Sequence, residues 1–411
     1  MPLLALEGIR VLEVTDGIAG PYCAKMLADL GAEVMKIERL DAVSMTQRQW
    51  AGERVETSLT VEDTALFLHL NTNKKSVAVD LESADGQSLF RKLATQSSIV
   101  VESLAPGRME SLGLSYNSLK DLNPSLVMTS VTPYGQTGPY KDYQYTELTV
   151  FATGGGMHRE GIPERHPLKY GGEIAQYFAG TAAASATMGA SVGALMTGQG
   201  DWLDVSIMEC MAGHPHQIGR RAPFAYNGEL DPRREPRTSA AGGREPYAVG
   251  TFQCKDGHVS FLPLGPRMWP NIARMIGKTE LMDDPRFNSP ELRTDNRIEL
   301  EAIFQEWLDR HTRAEVFEAT NNAGIPGGPV LTPTDVMNDE HFQERGFFRE
   351  LEHPEHGALS YPGVPFGFSE VDDVPGHAAP ALGEHTVEAL SEILGMDEAK
   401  IGSLREAGIV S

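Results

Sequence analysis

The segment from residue 9 to residue 38 constrains the fold of this chain more than any other. Ile9–Val14 is short and rich in residues that favour strands, which indicates a β-strand. Thr15–Gly20 has the Asp and Gly residues of a turn, and a helix is predicted from Pro21, at the first helical position, to about Leu30. Ala32–Ile37 is predicted as the next strand. A strand, a helix and a strand joined by short links predict a parallel βαβ unit.

Strands and helices continue to alternate beyond this unit. The predicted strands are Ser76–Asp80, Ser98–Glu102 and Leu126–Val131, and the predicted helices are Ala84–Ala94 and Tyr116–Leu122. Such alternation predicts an α/β fold whose large domain is Rossmann-like, with a doubly wound sheet.

The length of the chain, 411 residues, predicts two domains, because one domain usually holds about 100–200 residues. The stretches 45–63 and 222–246 have few helix or strand signals, and the second indicates the passage into a smaller α+β domain. That small domain is predicted over residues 225–325, beginning with strands at Tyr247–Gln253 and Gly257–Leu262. The large domain would comprise residues 1–222 and 327–411 and end in a helix near Thr386–Leu394.

Charge and cysteine content exclude several classes of protein. The formal net charge is −22, and an acidic surface repels nucleic-acid phosphates and anionic lipids, so neither is expected as a partner. Three scattered cysteines indicate neither a disulfide framework nor a cysteine zinc site, and they predict a cytoplasmic protein. Ala179–Gly198 has no charge, but its Ala, Gly, Ser and Thr residues predict a buried helix with close neighbours rather than a membrane span.

One glycine motif and one histidine pair are incomplete. Gly17 follows a strand, but Thr15 stands where a dinucleotide fingerprint needs its first glycine, which disfavours a nicotinamide-dependent oxidoreductase. His214 and His216 have no third ligand in view, so no metal site is expected.

Gly189–Gly193 matches the G-x-S-x-G nucleophile elbow around Ser191, and His385 would complete the triad order of an α/β-hydrolase. No strand is predicted before this serine, so helix packing is the favoured interpretation. A hydrolase that uses Ser191 stays open as a function of a different class.

Eight short strings occur in an order typical of one family. They are Thr15-Asp-Gly-Ile-Ala-Gly-Pro21, Val34-Met-Lys-Ile-Glu-Arg39, Asn71-Thr-Asn-Lys-Lys-Ser76, Glu102-Ser-Leu-Ala-Pro-Gly-Arg108, Tyr134-Gly-Gln-Thr-Gly-Pro-Tyr140, Gly200-Asp-Trp-Leu-Asp-Val-Ser206, Ala323-Gly-Ile-Pro-Gly-Gly-Pro-Val330 and Pro380-Ala-Leu-Gly-Glu-His-Thr386. With this set the chain resembles the class III (CaiB/BaiF) CoA-transferases over nearly its whole length. The resemblance implies an interlocked dimer of subunits with a large and a small domain. It also implies coenzyme A or acyl-CoA as a substrate, with no tightly bound cofactor.

The resemblance also implies where coenzyme A would bind. The positions that match the family pattern are Asp16, Gly17, Ile18, Ala19, Arg39, Asn71, Lys74, Ser103, Leu104 and Arg108. Basic residues suit the phosphates of CoA, and ligands of doubly wound sheets bind along the C-terminal strand edge. Family members often have Asn where Ser103 stands and Arg where Ser111 stands, so weaker contacts to CoA are expected here.

Gln176 bears most directly on activity. In the family, the nucleophile is an aspartate that opens a helix of small residues, four positions before a glycine, and Gln176 precedes Gly180 by that spacing. A neutral amide is a poor nucleophile and cannot titrate, so neither transfer through an acyl anhydride nor racemisation is expected from this residue.

The favoured interpretation is a non-catalytic subunit of a heterodimer that moves CoA between an acyl-CoA, such as succinyl-CoA, and a free carboxylic acid. Its partner would be a homologous chain with the aspartate, as in the benzylsuccinate CoA-transferase of aromatic acid catabolism, and the acid would be aromatic or dicarboxylic. The alternative is a self-sufficient homodimer with Glu173 or Glu147 as the nucleophile. A different reaction on acyl-CoA, or binding without chemistry, also stays open.

The glycine-rich segment Ala240–Arg244, after the basic run Arg233–Arg237, is either a loop that closes over the site or an ordinary linker.

Overall fold

A computed structural model describes residues 4–40, 65–214, 224–229, 233, 248–263, 265, 268–371 and 376–411. The stretch 45–63, most of 222–246, including the segment Ala240–Arg244, and His216 lie outside the described residues. The chain divides into two compact units, and each is described separately below.

A six-stranded parallel sheet is the centre of the first unit, which comprises Met1–His158, Leu168–Asp231 and Gly346–Ser411. Its strands are β1 Arg10–Val14, β2 Glu33–Glu38, β3 Lys74–Ala78, β4 Ile99–Glu102, β5 Val127–Thr132 and β6 Trp202–Ser206. They lie in the order β3-β2-β1-β4-β5-β6, and every neighbouring pair is parallel. This order is that of the Rossmann fold, as the alternation of elements predicted.

Helices cover both faces of the sheet, which explains why its central strands β1, β4 and β5 are buried along nearly their whole length. The described helices between β1 and residue 213 are α1 Ala19–Asp29, α2 Ala65–Leu70, α3 Ala84–Thr95, α4 Arg108–Ser111, α5 Tyr116–Lys120, α6 Glu147–Thr153, α7 Ile174–Thr197 and α8 Ile207–Gly213, with a 3₁₀ turn at Gly156–Arg159. Helices α1, α6, α7 and α8 share one apolar core with the sheet. Helices α3, α4 and α5 contribute to a second core. Helix α1 begins at Ala19, so Pro21 is its third residue and not, as was predicted, its first. The N–H groups of the first helical turn have no partner within the helix, so a proline, which has no N–H, is still tolerated at this position.

Helix α7 contains the uncharged segment of the sequence, and small residues form its buried stripe. That stripe includes Ala175, Ala179 and Ala183. A Cβ atom on Gly180 would lie 2.7 Å from the carbonyl oxygen of Ala19, so α7 and α1 approach each other at backbone contact. The predicted close packing is therefore present on one face of the helix, whereas Met196 on another face is 82% exposed.

The second unit comprises Arg159–Pro167 and Pro232–Arg345 and has its own core. Its antiparallel sheet has the strands β7 Gly250–Cys254, β8 Gly257–Phe261 and β9 Gly327–Pro329. Its described helices are α9 Met268–Met275, α10 Pro290–Asp295, α11 Arg297–Leu308, α12 Arg313–Ala323, α13 Pro333–Met337 and α14 Glu340–Glu344, with a 3₁₀ turn at Thr279–Met282. The rings of Phe252, Phe261 and Phe304 meet edge to face at centroid distances of 5.4 to 5.8 Å.

The return of the chain to the first unit differs from the predicted boundary at residue 327. Strand β9 pairs with β8, so Gly327–Pro329 completes the small sheet, and the first unit resumes at Gly346. There the chain forms a hairpin, β10 Phe348–His353 and β11 Gly357–Pro362, and then helices α15 Thr386–Glu388, continued by a π-helical turn Ala389–Ile393, and α16 Glu398–Glu406. Leu390 and Leu404 pack in the same core as α3.

Candidate active site

A cavity of about 420 Å³ lies at the C-terminal ends of β1, β4 and β5. Residues of the 16–20 turn, of segment 103–106 and of segment 131–145 line it, together with Gln176 and Ile207. Strands β1 and β4 are neighbours in the sheet, but α1, which follows β1, packs in one apolar core, and α4, which follows β4, packs in the other. Where the connections from two neighbouring strands diverge in this way, a crevice opens at the carboxyl ends of the strands, and ligands of this fold class bind there.

The turn after β1 and the segment after β4 are joined through one hydroxyl group. The backbone N–H of Asp16 donates to Ser103 Oγ at 2.9 Å, and Ser103 Oγ donates to the carbonyl oxygen of Asp16 at 3.0 Å. Gly17 has a φ of +76°, a left-handed conformation that side chains rarely allow. The Ser103 hydroxyl therefore fixes the wall of the cavity at the point where the turn needs its glycine.

Gln176 lies in the first turn of α7 and belongs to the cavity lining. Its side chain is 1% exposed, and a Cβ atom on Gly17 would lie 3.5 Å from its Oε1. Its Nε2 has no hydrogen-bond partner among the described residues. A buried amide donor without an acceptor is rare in folded proteins and points to a group that enters from the cavity.

Glu147 and Glu173, the alternative nucleophiles, do not belong to the cavity lining. Glu173 immediately precedes α7, and Glu147 is the first residue of α6. Glu147 Oε1 accepts the backbone N–H of Ala175 at 2.8 Å and so stabilises the helix N-terminus. Burial raises the pKa of Glu147, and the nearby charge of Glu173 raises it further. The Oε2 atoms of both glutamates have no hydrogen-bond partner in the part of the chain that the structure describes.

Asn71 and Lys74, predicted to approach the nucleotide, are buried away from the cavity lining. Lys74 Nζ lies 2.8 Å from Glu13 Oε2 and donates to the carbonyl oxygen of Pro21 at 2.9 Å and to Asn71 Oδ1 at 3.2 Å. Lys36 pairs with the same glutamate at 3.1 Å. Burial lowers the pKa of Lys74 to about 8. Both predicted residues therefore have internal partners that connect β1, β3 and α1.

The other predicted basic residues also lie outside the lining. Arg39 is exposed just after β2, and Arg108 opens α4, where it donates to Ser111 Oγ at 3.2 Å and pairs with Glu82. Ile18 is 1% exposed, and its side chain packs inside the protein. Of the predicted binding residues, the structure brings five together around the cavity: Asp16, Gly17, Ala19, Ser103 and Leu104.

Comparison with known proteins identifies the family. Residues 6–386 match the profile of CoA-transferase family III. The chain belongs to this family. The match spans all of the second unit, most of the first unit and all the residues described around the cavity, and it agrees with the CaiB/BaiF resemblance of the sequence strings.

Named relatives extend over almost the whole chain. Succinyl-CoA:glutarate CoA-transferase of Homo sapiens is 30% identical over 98% of this chain and 90% of its own length. The alpha subunit of succinyl-CoA–L-malate CoA-transferase of Chloroflexus aurantiacus is 34% identical over 99% of this chain and 93% of its own length. The beta subunit of that enzyme is 30% identical over 99% of this chain and 98% of its own length.

A solved structure agrees with the fold. The crystal structure of a CaiB/BaiF family protein from Brucella suis superposes with a TM-score of 0.83, at 27% identity, and covers 95% of this chain and 100% of its own. The predicted family and the α/β class with its parallel sheet are thereby confirmed, and CoA transfer is confirmed as the enzyme class.

Several residues of this family III cavity were not predicted from the sequence. They belong to segment 131–145 and include Lys141, Asp142, Tyr143 and Tyr145. Lys141 Nζ pairs with Asp142 at 2.8 Å. A signal was present, because this segment follows β5, and β5 is the neighbour of β4 in a doubly wound sheet.

The serine hydrolase alternative is wrong. Ser191 lies in the middle of α7, is 8% exposed, and its Oγ donates to the carbonyl oxygen of Thr187 at 2.8 Å. A nucleophile elbow needs the serine in a sharp turn after a strand. Among the described residues no group of His, Cys, Asp or Glu could hold a metal ion, and no helix is long and apolar enough to cross a membrane.

Proposed function

We propose that this chain is the non-catalytic subunit of a two-chain CoA-transferase that moves CoA between an acyl-CoA, such as succinyl-CoA, and a free carboxylic acid. Gln176 is the observation that carries the proposal. It lines the cavity at the start of α7, where the family resemblance expects the nucleophilic aspartate. The partner would be a homologous chain that has this aspartate.

The chemistry of CoA transfer supports a partner. A carboxylate of the enzyme attacks the thioester and expels CoA thiolate, which gives an acyl anhydride; the thiolate then attacks the enzyme's carbonyl, releases the donor acid and leaves an enzyme–CoA thioester. The acceptor carboxylate attacks this second thioester, and CoA leaves and returns to the acceptor's carbonyl as the enzyme's carboxylate departs. The amide of Gln176 is neutral and its nitrogen lone pair is delocalised, so it performs none of these steps. The alpha and beta subunits of the malate enzyme are examples of relatives with two kinds of chain. An interlocked heterodimer, as in the benzylsuccinate enzyme, remains part of this proposal.

The geometry around Glu147 supports this proposal over a self-sufficient homodimer. Glu147 stabilises the start of α7 through the Ala175 N–H, and neither Glu147 nor Glu173 belongs to the cavity lining. Relatives named for glutarate and malate favour a dicarboxylic acceptor acid over an aromatic one. The unpaired cysteines Cys23, Cys210 and Cys254 support the cytoplasm as the compartment.

The test is CoA transfer by the purified chain, followed by mass spectrometry, with succinyl-CoA and a panel of mono- and dicarboxylic acids. We expect no turnover from the wild type alone and turnover after addition of an aspartate-containing homologue. The variant Gln176→Asp restores the carboxylate, and incubation with succinyl-CoA should give a covalent adduct on this residue that the wild type does not form.

Turnover by the wild type alone would contradict the proposal. The matched variants Glu147→Gln and Glu173→Gln then identify the nucleophile, because only loss of the reacting carboxylate abolishes turnover. If turnover persists in both variants, the self-sufficient mechanism with these residues is also wrong.

A further inference from the structure

Gln176 presents a buried amide to the cavity. Its side chain is 1% exposed and belongs to the lining, and its Nε2 has no hydrogen-bond partner among the described residues. Buried N–H groups nearly always have an acceptor, since an unpaired one loses the hydrogen bonds that water provided. We therefore expect the acceptor of this amide on the molecule that fills the cavity.

The charges around the amide favour a neutral acceptor over an anionic one. Asp16 and Asp142 line the same cavity, and Lys141, the cation among the described lining residues, is already paired with Asp142 at 2.8 Å. The carboxylate of Glu147, the first residue of α6, contacts the start of α7, the helix that carries Gln176. These carboxylates repel a free carboxylate, whereas a carbonyl oxygen accepts a hydrogen bond without a net charge.

We infer that Gln176 distinguishes acyl-CoA from free CoA, because its Nε2 donates a hydrogen bond to the carbonyl oxygen of the bound thioester. Free CoA has a thiol in place of this carbonyl and leaves the amide unpaired. The amide does not attack the thioester, so the residue determines binding specificity and the bound acyl-CoA stays intact. This inference rests on the proposed function, since it takes the cavity as the site of a CoA thioester.

The ligands of the test are acetyl-CoA, free CoA and S-ethyl-CoA, a thioether that has the size of acetyl-CoA but no carbonyl. Isothermal titration calorimetry with the purified 411-residue chain gives the three Kd values. We expect acetyl-CoA to bind about fivefold more tightly than S-ethyl-CoA, as for one hydrogen bond between neutral groups. This comparison needs no variant, so it does not depend on the folding of a mutant.

The variant Gln176→Met keeps the length of the side chain and removes the amide. In this variant we expect acetyl-CoA and S-ethyl-CoA to bind equally, with the Kd of S-ethyl-CoA unchanged within about twofold. The matched control is Gln199→Met, because Gln199 is an exposed glutamine just after α7, and this variant should keep the preference.

Two outcomes are distinguishable. Equal binding of acetyl-CoA and S-ethyl-CoA by the wild type, or a preference that persists in Gln176→Met, would overturn the inference and leave the proposed function intact. If none of the three ligands binds, the cavity of the isolated chain is not a CoA-thioester site and the inference is overturned, whereas turnover with an aspartate-containing homologue still decides the proposed function.

Discussion

Glu102 at the end of β4 is a buried acid whose ionisation should affect stability. It is 2% exposed, and its carboxylate accepts the backbone N–H of Leu104 at 2.8 Å and the side-chain Nε2 of Gln136 at 3.3 Å. Burial raises the pKa of Glu102 from 4.5 to about 7 despite these donors, and the charge of Asp204 adds to the increase.

The variant Glu102→Gln should therefore change how stability depends on pH. Between pH 4.5 and about 7 the native carboxyl binds more protons than the unfolded one, so its contribution to stability is present at low pH and is lost as the pH rises through the folded pKa. From about pH 5 to about pH 8 the variant should gain roughly 2–3 kcal/mol relative to the wild type. Urea unfolding at both pH values measures this difference.

Glu110→Gln is the control, because Glu110 is exposed on the nearby α4. It should follow the wild type at both pH values. Parallel stability curves for the wild type and Glu102→Gln would show that Glu102 does not titrate in this range.

At the residue scale, the sequence predicted where a residue lies when a backbone turn determines its place, but it did not predict the partners of buried charged side chains. The turn after β1 was predicted, and Gly17 and Ser103 meet at the cavity as expected. The family resemblance placed Lys74 at the nucleotide, and the sequence alone does not show that its charge meets Glu13 inside the sheet. Charged residues within apolar strands, such as Glu13 and Lys36, were the available signal for a buried ion pair.

At the scale of elements, helix α7 offers a matched pair of glycines. A Cβ atom on Gly180 would lie 2.7 Å from the carbonyl oxygen of Ala19 and 3.1 Å from the ring of Tyr22, whereas one on Gly189 would meet nothing within 4 Å. Gly180→Ala should destabilise the protein by about 1–3 kcal/mol because backbone atoms would have to separate. Gly189→Ala should stabilise it by roughly 0.5–1 kcal/mol, since alanine favours a helix over glycine.

Denaturant midpoints of the two variants measure this contrast. Equal changes in the two variants would mean that α1 and α7 do not need the close approach. The sequence predicted a buried helix of small residues here, but it did not show which glycine faces α1. That distinction depends on how two helices far apart in the chain pack together.

At the scale of the whole molecule, the division into two units could be predicted better than its boundaries. The length and the change of composition near residue 225 predicted a second unit. The sequence around Gly327–Pro329 gives no sign that this short strand pairs with β8, because that pairing joins residues far apart in the chain. The fold class follows from the alternation of strands and helices along the chain, whereas the boundary of the second unit depends on the pairing of β9 with β8.

Phe304→Ala tests whether the second unit depends on its own core. Phe304 is 1% exposed, and its ring lies 5.4 Å from those of both Phe252 and Phe261. Its removal should destabilise the second unit by about 3–5 kcal/mol, because the cavity left behind is only partly filled. Hydrogen exchange followed by mass spectrometry should show faster exchange in β7, β8 and α11 while β1 to β5 keep their protection.

Phe151→Ala, in a core of the first unit, should give the opposite pattern. Equal loss of protection throughout the chain in either variant would mean that the two cores unfold as one cooperative body.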